Sequence, residues 1–178
     1  MTPESMERYK VRPACLRDAS YVVANMRPED VQEVLCQLPE GMKRHEIAYM
    51  LIMSGDAFVA YDDADLPVLL FGTQPLNMVA LNAWAVGTKR TWRVLHRATR
   101  WLITEYLPAK AEAGFVTMEA RTHVDHHHSH RWLESTGAVV HGPPFVYGRD
   151  GQKFLMYRWH ASALPAAAER YRCTDAAQ

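Results

Sequence analysis

The order of hydrophobic patterns along the chain predicts a mixed α/β or α+β fold. Short apolar runs typical of strands, such as 57–61 and 66–73, alternate with stretches of helical periodicity, such as 91–107. The 178 residues are 48% hydrophobic and 22% charged, which is enough apolar material for one core and close to the length of one domain. We therefore expect one domain over 1–160 and a C-terminal tail at 161–178.

The first half of the chain predicts helices followed by a hairpin. In order, the patterns predict a strand at 9–14, a helix begun by Asp18, a second helix from Pro28, a third helix ending at Ser54 and a hairpin at 57–73. Pro28 suits a first helical turn because proline fixes φ and lacks the amide that such a turn leaves unpaired. The acidic stretch 62–65 divides two apolar runs, as the turn of a hairpin does.

The second half predicts strands on either side of the clearest helix. In order, these are a strand at 78–86, a helix at 91–107 closed by Pro108, a strand at 115–120, a helix at 125–136, and strands at 138–146 and 152–159. Asp125 suits the N-cap of the later helix, and Gly137 suits its C-terminus.

Charge and composition exclude several classes of function. Lys and Arg number 20, and so do Asp and Glu, so no overall field attracts nucleic acid. The apolar runs are far shorter than the ~20 residues that span a bilayer, and 1–10 lacks the apolar run of a signal peptide. Three dispersed cysteines do not suggest a disulfide framework. We expect a cytoplasmic protein without membrane partners and without an overall attraction to nucleic acid, so that any electrostatic role is local.

Five short strings occur at matching places of one known fold. They are Val-Ala at 59–60, Leu-Leu-Phe-Gly at 69–72, Trp-Ala-Val at 84–86, Arg-Trp-Leu-Glu-Ser-Thr-Gly-Ala at 131–138, and Asn-Met-Arg-Pro-Glu-Asp at 25–30. Over about 9–159 the chain resembles the GCN5-related N-acetyltransferase superfamily, and within it the small acetyltransferase-like proteins of tailed bacteriophages, including internal virion proteins of short-tailed phages. The resemblance implies a mixed, mainly antiparallel sheet flanked by helices.

The loop after the fourth strand departs from that superfamily. In its active members, the pyrophosphate of acetyl-CoA rests on backbone N–H groups of a Q/R-x-x-G-x-G/A loop, where glycines allow close approach. The matching loop here, 87–92, has one glycine at the strand end and none inside the turn. If acetyl-CoA binds, the residues expected to hold it are Thr88, Lys89, Arg90 and Arg93; otherwise no cofactor is expected.

The usual acid and base of the superfamily are also missing. The resemblance places the acid, often a tyrosine, four residues before Gly137, where this chain has Leu133. The fourth strand offers only Asn82 as a polar side chain, and an amide cannot act as a base. Glu119 and Tyr106 remain as candidate catalytic residues.

The helix at 91–107 predicts a surface for contacts. Its apolar face contains Trp92, Leu95, Ala98, Leu102 and Tyr106, and arginines occupy the opposite face. Helical geometry places Trp101 among those arginines, where a large aromatic side chain suggests that something covers it. The predicted contact surface is therefore Arg93, Arg97, Arg100 and Trp101, with CoA phosphates, an acidic protein or nucleic acid as its target. The alternative is a solvated face.

A histidine-rich run occupies 123–130. On a helix, His126 and His130 have the i, i+4 spacing of paired metal ligands. The sequence supplies no third ligand nearby, so we expect an exposed first turn and no metal.

Two functions remain open on the sequence alone. The first is an acetyltransferase-fold phage protein that has lost most of its catalytic apparatus and acts through protein contacts, with other virion proteins among the partners, in virion structure or assembly. Such a protein would occur in the host cytoplasm or in the virion. The alternative is an acetyl-CoA-dependent N-acetyltransferase acting on a small amine or a host protein.

Overall fold

The computed structural model describes residues 2–164 and 168–169. The strands are β1 (Val11–Pro13), β2 (Asp56–Tyr61), β3 (Pro67–Pro75), β4 (Ala80–Gly87), β5 (Thr117–His123), β6 (Val139–Val140), β7 (Phe145–Val146) and β8 (Lys153–His160). The α-helices are α1 (Pro3–Tyr9), α2 (Leu16–Ala24), α3 (Pro28–Leu35), α4 (Arg44–Met53), α5 (Leu95–Trp101), α6 (Leu107–Glu112) and α7 (His127–Ser135).

The strands form one sheet in the order β1-β2-β3-β4-β5-β8-β6, with β7 also paired to β8. All neighbouring strands are antiparallel except β4 and β5, which run parallel. The prediction of a single domain with a mixed, mainly antiparallel sheet flanked by helices is confirmed.

Each face of the sheet packs against its own group of helices. Successive strand residues point to opposite faces, so Phe58 and Phe71 belong to a core under α5, α6 and α7. Val59 and Leu70 belong to a second core under α2 and α4. The sheet is therefore covered on both sides, and a site that crosses it has two separate walls.

Most predicted elements are confirmed, and the differences have local causes. The second and third helices and the hairpin occur where the patterns placed them, as α3, α4 and the β2–β3 pair. Helix α1 was not predicted; Thr2 caps it, its side chain accepting a hydrogen bond from the Ser5 amide. The strand predicted at 138–146 is two short strands, β6 and β7, which pair with separate parts of β8.

The predicted end of the long helix at Pro108 is wrong. The segment Leu102–Tyr106 is a π-helix, in which the Leu107 amide donates to the carbonyl of Leu102, five residues back. Pro108 then takes the second position of α6, where the missing amide of proline is tolerated. The helix therefore continues to Glu112.

The C-terminal segment is described only in part. Leu164, which lies beyond the predicted boundary at 160, is 3% exposed and belongs to the core beneath α5. The rest of the predicted tail, 165–167 and 170–178, lies outside the described residues. In the described part of the chain, no helix is long and apolar enough to cross a membrane.

Candidate functional site

Strands β4 and β5 pair at their beginnings and then separate. Pairing joins Ala80–Ala83 to Thr117–Ala120, whereas β4 continues to Gly87 and β5 to His123. Two cavities meet where the strands diverge, and both are lined by Glu33, Trp84, Ala85 and Arg121. The gap between the strands therefore connects two cavities that lie on opposite faces of the sheet.

One backbone edge of β4 faces this gap. The Thr88 amide donates to the Val68 carbonyl on β3, whereas the Gly87 amide donates to the Asp30 carboxylate on the other side. Because every second residue of a strand points its N–H and C=O groups to the same edge, the backbone groups of Ala85 point into the gap as well. An extended ligand with amide groups can pair with that edge.

The first cavity is apolar and lies on the side of α5 and α7. Its volume is about 70 Å³, and its apolar lining includes Phe71, Met118, Leu133 and Trp159. Leu133, the position where the superfamily often has a tyrosine, is thus part of the wall. A cavity of this size and character suits a short acyl group.

Glu33 is a site residue that the sequence did not reveal. Its Oε2 accepts hydrogen bonds from the Thr122 hydroxyl at 2.8 Å, the His123 amide at 3.0 Å and His126 Nδ1 at 2.8 Å. Among the described residues, Oε1 has no hydrogen-bond partner, and the side chain is 16% exposed where the two cavities meet. The carboxylate is held in one orientation with one oxygen free.

Asp30, one helical turn before Glu33, holds the end of β4. Its carboxylate accepts from the Gly87 amide at 2.6 Å and from Arg27 at 2.8 and 3.0 Å. Burial raises the pKa of Asp30, although Arg27 and Gly87 oppose that rise. Helix α3 thus bridges the diverging strands: its Asp30 binds the end of β4, and its Glu33 binds the end of β5.

The predicted cofactor loop is occupied by internal contacts. Arg90 forms an ion pair with Asp62. Burial alone would raise the pKa of Asp62, but the amides of Leu66 and Ala64 and the Arg90 guanidinium hold it below its usual value. Arg90 is therefore tied to the β2–β3 turn, and the expectation that it also holds a phosphate stays a prediction.

Most backbone donors of the loop are also committed. The amides of Gly87, Thr88, Arg90, Thr91, Arg93 and Val94 all donate within the protein. Thr88 is buried, and its hydroxyl accepts from the Arg90 amide. Lys89 and Arg93 are exposed, so these two are the predicted cofactor residues with side chains available to a phosphate.

Glu119, the first catalytic candidate, is tied into an ion-pair cluster. Arg158 Nη2 lies 2.5 Å from its Oε1, and Arg121 Nη2 lies 3.3 Å from its Oε2. Asn82 joins the cluster by accepting from Arg121 Nη1 at 2.6 Å. Both carboxylate oxygens are engaged, and Glu119 lines neither cavity, so its geometry is that of a structural ion pair.

Tyr106, the second candidate, does line the first cavity. Its hydroxyl lies 2.5 Å from Thr73 Oγ1 and donates to Asp56 Oδ2 at 3.0 Å, and Asp56 also pairs with Lys110. Burial raises the pKa of Tyr106. A phenol with a raised pKa and an internal acceptor is a poor proton donor to a thiolate, so the contacts favour a role in anchoring the π-helix to the sheet.

The predicted contact surface needs a correction at Trp101. Trp101 is 0% exposed, whereas Trp92, placed on the apolar face by the pattern, is 71% exposed. A 3₁₀ turn at Thr91–Arg93 precedes α5, so Trp92 does not share the phase of α5, in which Val94, Ala98 and Trp101 point inward. Trp101 belongs to the core.

The three arginines of that surface are at least partly exposed, and the contacts of Arg97 are clear. Arg97 Nη1 lies 2.8 Å from Asp63 Oδ1, and its Nη2 donates to the Tyr61 carbonyl at 3.3 Å. Arg93 is exposed and stacks over Trp92, with Arg100 half-buried. A surface made of Arg93, Arg97 and Arg100 stays a prediction.

The paired histidines are buried, contrary to the expectation of an exposed turn. His126 bonds to Glu33, and His130 lies 3.0 Å from both the Tyr157 hydroxyl and the Val124 carbonyl. Burial raises the pKa of Tyr157 to about 12, so it remains a neutral partner. In the described residues, no group of three acidic, His or Cys side chains could hold a metal ion.

Comparison with solved structures defines the class of fold. No protein-family model and no curated protein matches the sequence. A GCN5-related N-acetyltransferase from Brucella melitensis superposes with a TM-score of 0.69 over 92% of this chain and 80% of its own, at 14% identity. The chain therefore has the GCN5-related N-acetyltransferase fold.

Two further structures of that fold have specific names. Aminoglycoside 6'-acetyltransferase type Ii matches with a TM-score of 0.61 and 18% identity over 85% of this chain and 96% of its own. Spermidine N-acetyltransferase from Vibrio cholerae, solved with CoA and spermine, matches with a TM-score of 0.60 and 13% identity over 87% and 96%. At these identities the likeness extends to the fold and no further.

Proposed function

We propose that this protein is an acyl-CoA-dependent N-acyltransferase that acts on a small amine. The observation that carries the proposal is the meeting of two cavities in the gap between β4 and β5, with the free Oε1 of Glu33 at the junction. An apolar cavity on one face suits an acyl group, and a second cavity on the other face suits an acceptor. The fold supports the same reaction class by analogy.

The residues present fit acetyl-CoA in part. The backbone edge at Ala85 offers a donor and an acceptor to the amides of the pantetheine arm, and the first cavity accepts the acyl group. The loop after β4 fits the pyrophosphate poorly, because most of its amides donate within the protein. Phosphate contacts would therefore come from Lys89 and Arg93, and the bound cofactor would supply an activated acyl thioester.

Glu33 would act as the general base. Its Oε1 would accept a proton from the ammonium group of the acceptor, leaving a free amine that can attack the acyl carbon. As the new N–C bond forms and the C–S bond breaks, the second proton of the amine passes to the departing sulfur, and Glu33 releases its own proton to solvent. This route needs no separate acid at Leu133.

A second candidate function is favoured by one specific observation. A loop in which most amides already have internal acceptors suits a protein that no longer binds the cofactor. Such a protein would act through contacts in phage virion structure or assembly, in the host cytoplasm or virion, with the surface of Arg93, Arg97 and Arg100 toward protein partners. Nucleic acid and membranes are not expected partners under either proposal.

Titration of acetyl-CoA by calorimetry, combined with a thiol assay for CoA release, distinguishes the acyltransferase from the contact role. The enzyme requires binding with a dissociation constant at or below about 100 μM, or ~5.5 kcal/mol, and CoA release that depends on an added amine. Absence of binding at 1 mM acetyl-CoA, on the order of 4 kcal/mol, in a folded protein would reject the enzyme and leave the contact role.

A further inference from the structure

Two opposite charges face the second cavity without pairing to each other. Glu33 and Arg121 are the only charged side chains lining either cavity in the described part of the chain. No N···O distance of 4.0 Å or less joins them. Glu33 is held by His126 and Arg121 by Glu119, but Glu33 Oε1 and further guanidinium N–H groups of Arg121 remain available, so the intervening space suits a ligand that carries both charges.

Resting on the acyltransferase function, we propose that the acceptor is a free α-amino acid with an apolar side chain. Its ammonium group binds Glu33 Oε1, its carboxylate binds the Arg121 guanidinium, and its side chain fills the second cavity. Arg121 thereby determines specificity, while Glu33 takes the proton from the nitrogen that is acylated.

The contacts of Arg121 leave it able to bind a carboxylate. Nη1 donates to Asn82 at 2.6 Å, Nη2 donates to Glu119 at 3.3 Å, and the guanidinium lies over the Tyr147 ring at 5.3 Å. A guanidinium has five N–H donors, so three remain after these two bonds. The neighbours fix the plane of the group, which favours a fork-like contact with a carboxylate.

The local charge balance also favours an anionic group at this end of the cavity. Arg121 and Arg158 share the single carboxylate of Glu119, so this three-residue cluster carries a net positive charge. His141 Nδ1, 3.5 Å from Arg158, adds no negative charge. A second ammonium group of a polyamine would meet Arg121 there, so polycationic acceptors are disfavoured.

The remainder of the second cavity is lined by eight apolar residues, two neutral amides and Tyr147. It has a volume of about 140 Å³, and its apolar lining consists of Val34, Leu38, Met50, Leu51, Ala83, Trp84, Ala85 and Val86. Gln37 and Asn82 are the neutral amides of the wall, and Asn82 already accepts from Arg121. A small aliphatic side chain therefore suits this volume better than a charged one.

The first test compares three amines with the wild-type protein and acetyl-CoA: leucine, leucinamide and isopentylamine. All three present an amine and a similar apolar body, but only leucine carries a carboxylate. We expect kcat/KM for leucine to exceed that for each of the others by about 10-fold or more. Equal or better use of leucinamide or isopentylamine would overturn the amino-acid proposal while leaving the acyltransferase intact.

The second test compares Arg121→Gln with Arg158→Gln, which disturbs the same ion-pair cluster but does not line a cavity. Arg121→Gln should abolish the preference for leucine over leucinamide, and Arg158→Gln should retain it. Thermal shift with leucine, without acetyl-CoA, gives a readout independent of turnover. A preference that survives in folded Arg121→Gln contradicts the proposal, and if that variant does not fold, the wild-type series decides. Absence of both acetyl-CoA binding and turnover rejects the parent function instead.

Discussion

Replacing Glu33 with Gln removes the proposed base while keeping the shape of the site. The amide oxygen of Gln can still accept from the Thr122 hydroxyl, the His123 amide and His126, which now donate to Oε2 of Glu33. The amide nitrogen then takes the position of Oε1 and cannot accept a proton. Loss of charge-assisted hydrogen bonds costs about 1 to 3 kcal/mol of stability, whereas loss of a general base lowers kcat by about 10² to 10⁴.

The assay separates these two effects. CoA release is followed with saturating leucine, and acetyl-CoA affinity is measured by calorimetry on the same samples. Glu29→Gln is the matched control, because it removes a carboxylate from the exposed side of the same helix. We expect Glu33→Gln to bind acetyl-CoA within about 3-fold of wild type. Retention of more than about one third of the wild-type kcat by Glu33→Gln would refute the assignment of the base.

Four other variants probe the loop and the core. Asp62→Asn should destabilise the protein by about 1 to 3 kcal/mol at pH 7. Because the pKa of Asp62 is below 3.8 in the folded protein, this stabilisation is complete above that pH and lost as the pH falls further, so urea melts of wild type and variant should converge in acid. Trp101→Ala should cost about 3 to 5 kcal/mol in the same melts and Trp92→Ala less than about 0.5; similar values would contradict the burial of Trp101. Lys89→Ala combined with Arg93→Ala should weaken acetyl-CoA binding by about 1 to 3 kcal/mol and reduce its salt dependence; unchanged binding would place the phosphates elsewhere.

The parts of the fold that depend on local patterns could be predicted from the sequence. Pro28 followed by two acidic residues marks the start of α3, and the acidic turn between apolar runs marks the β2–β3 hairpin. These signals involve neighbouring residues and the periods of helix and strand. The phase of α5 could not be obtained in this way, because the 3₁₀ turn before it and the π-helix after it shift the register. That shift explains why Trp101 is buried and Trp92 is exposed, the reverse of what the helical pattern predicts.

The candidate site was less accessible from the sequence because its residues come from separate segments. Glu33 lies on α3, the donors that orient it lie at the end of β5 and the start of α7, and the open edge lies on β4. In the sequence, Glu33 is one of several charged residues on an amphipathic helix, and nothing nearby distinguishes it. Glu119 was predicted as a candidate from its place on a strand, but its two arginine partners come from other positions and become visible only in three dimensions.

The same distribution of contacts bears on how the cofactor could be held. Gly87 is the last residue of β4, where the loop begins, and its amide donates to the carboxylate of Asp30. The protein therefore supplies its own anion at this point. Arg27 balances that charge, which makes the arrangement self-sufficient without a bound phosphate. Binding energy for acetyl-CoA must then come mainly from the backbone edge at Ala85 and the apolar cavity. Pantetheine thioesters that lack the nucleotide should accordingly lose only about 1 to 3 kcal/mol of binding free energy, the contribution of Lys89 and Arg93, whereas a protein with a glycine-rich phosphate loop would lose most of its binding free energy.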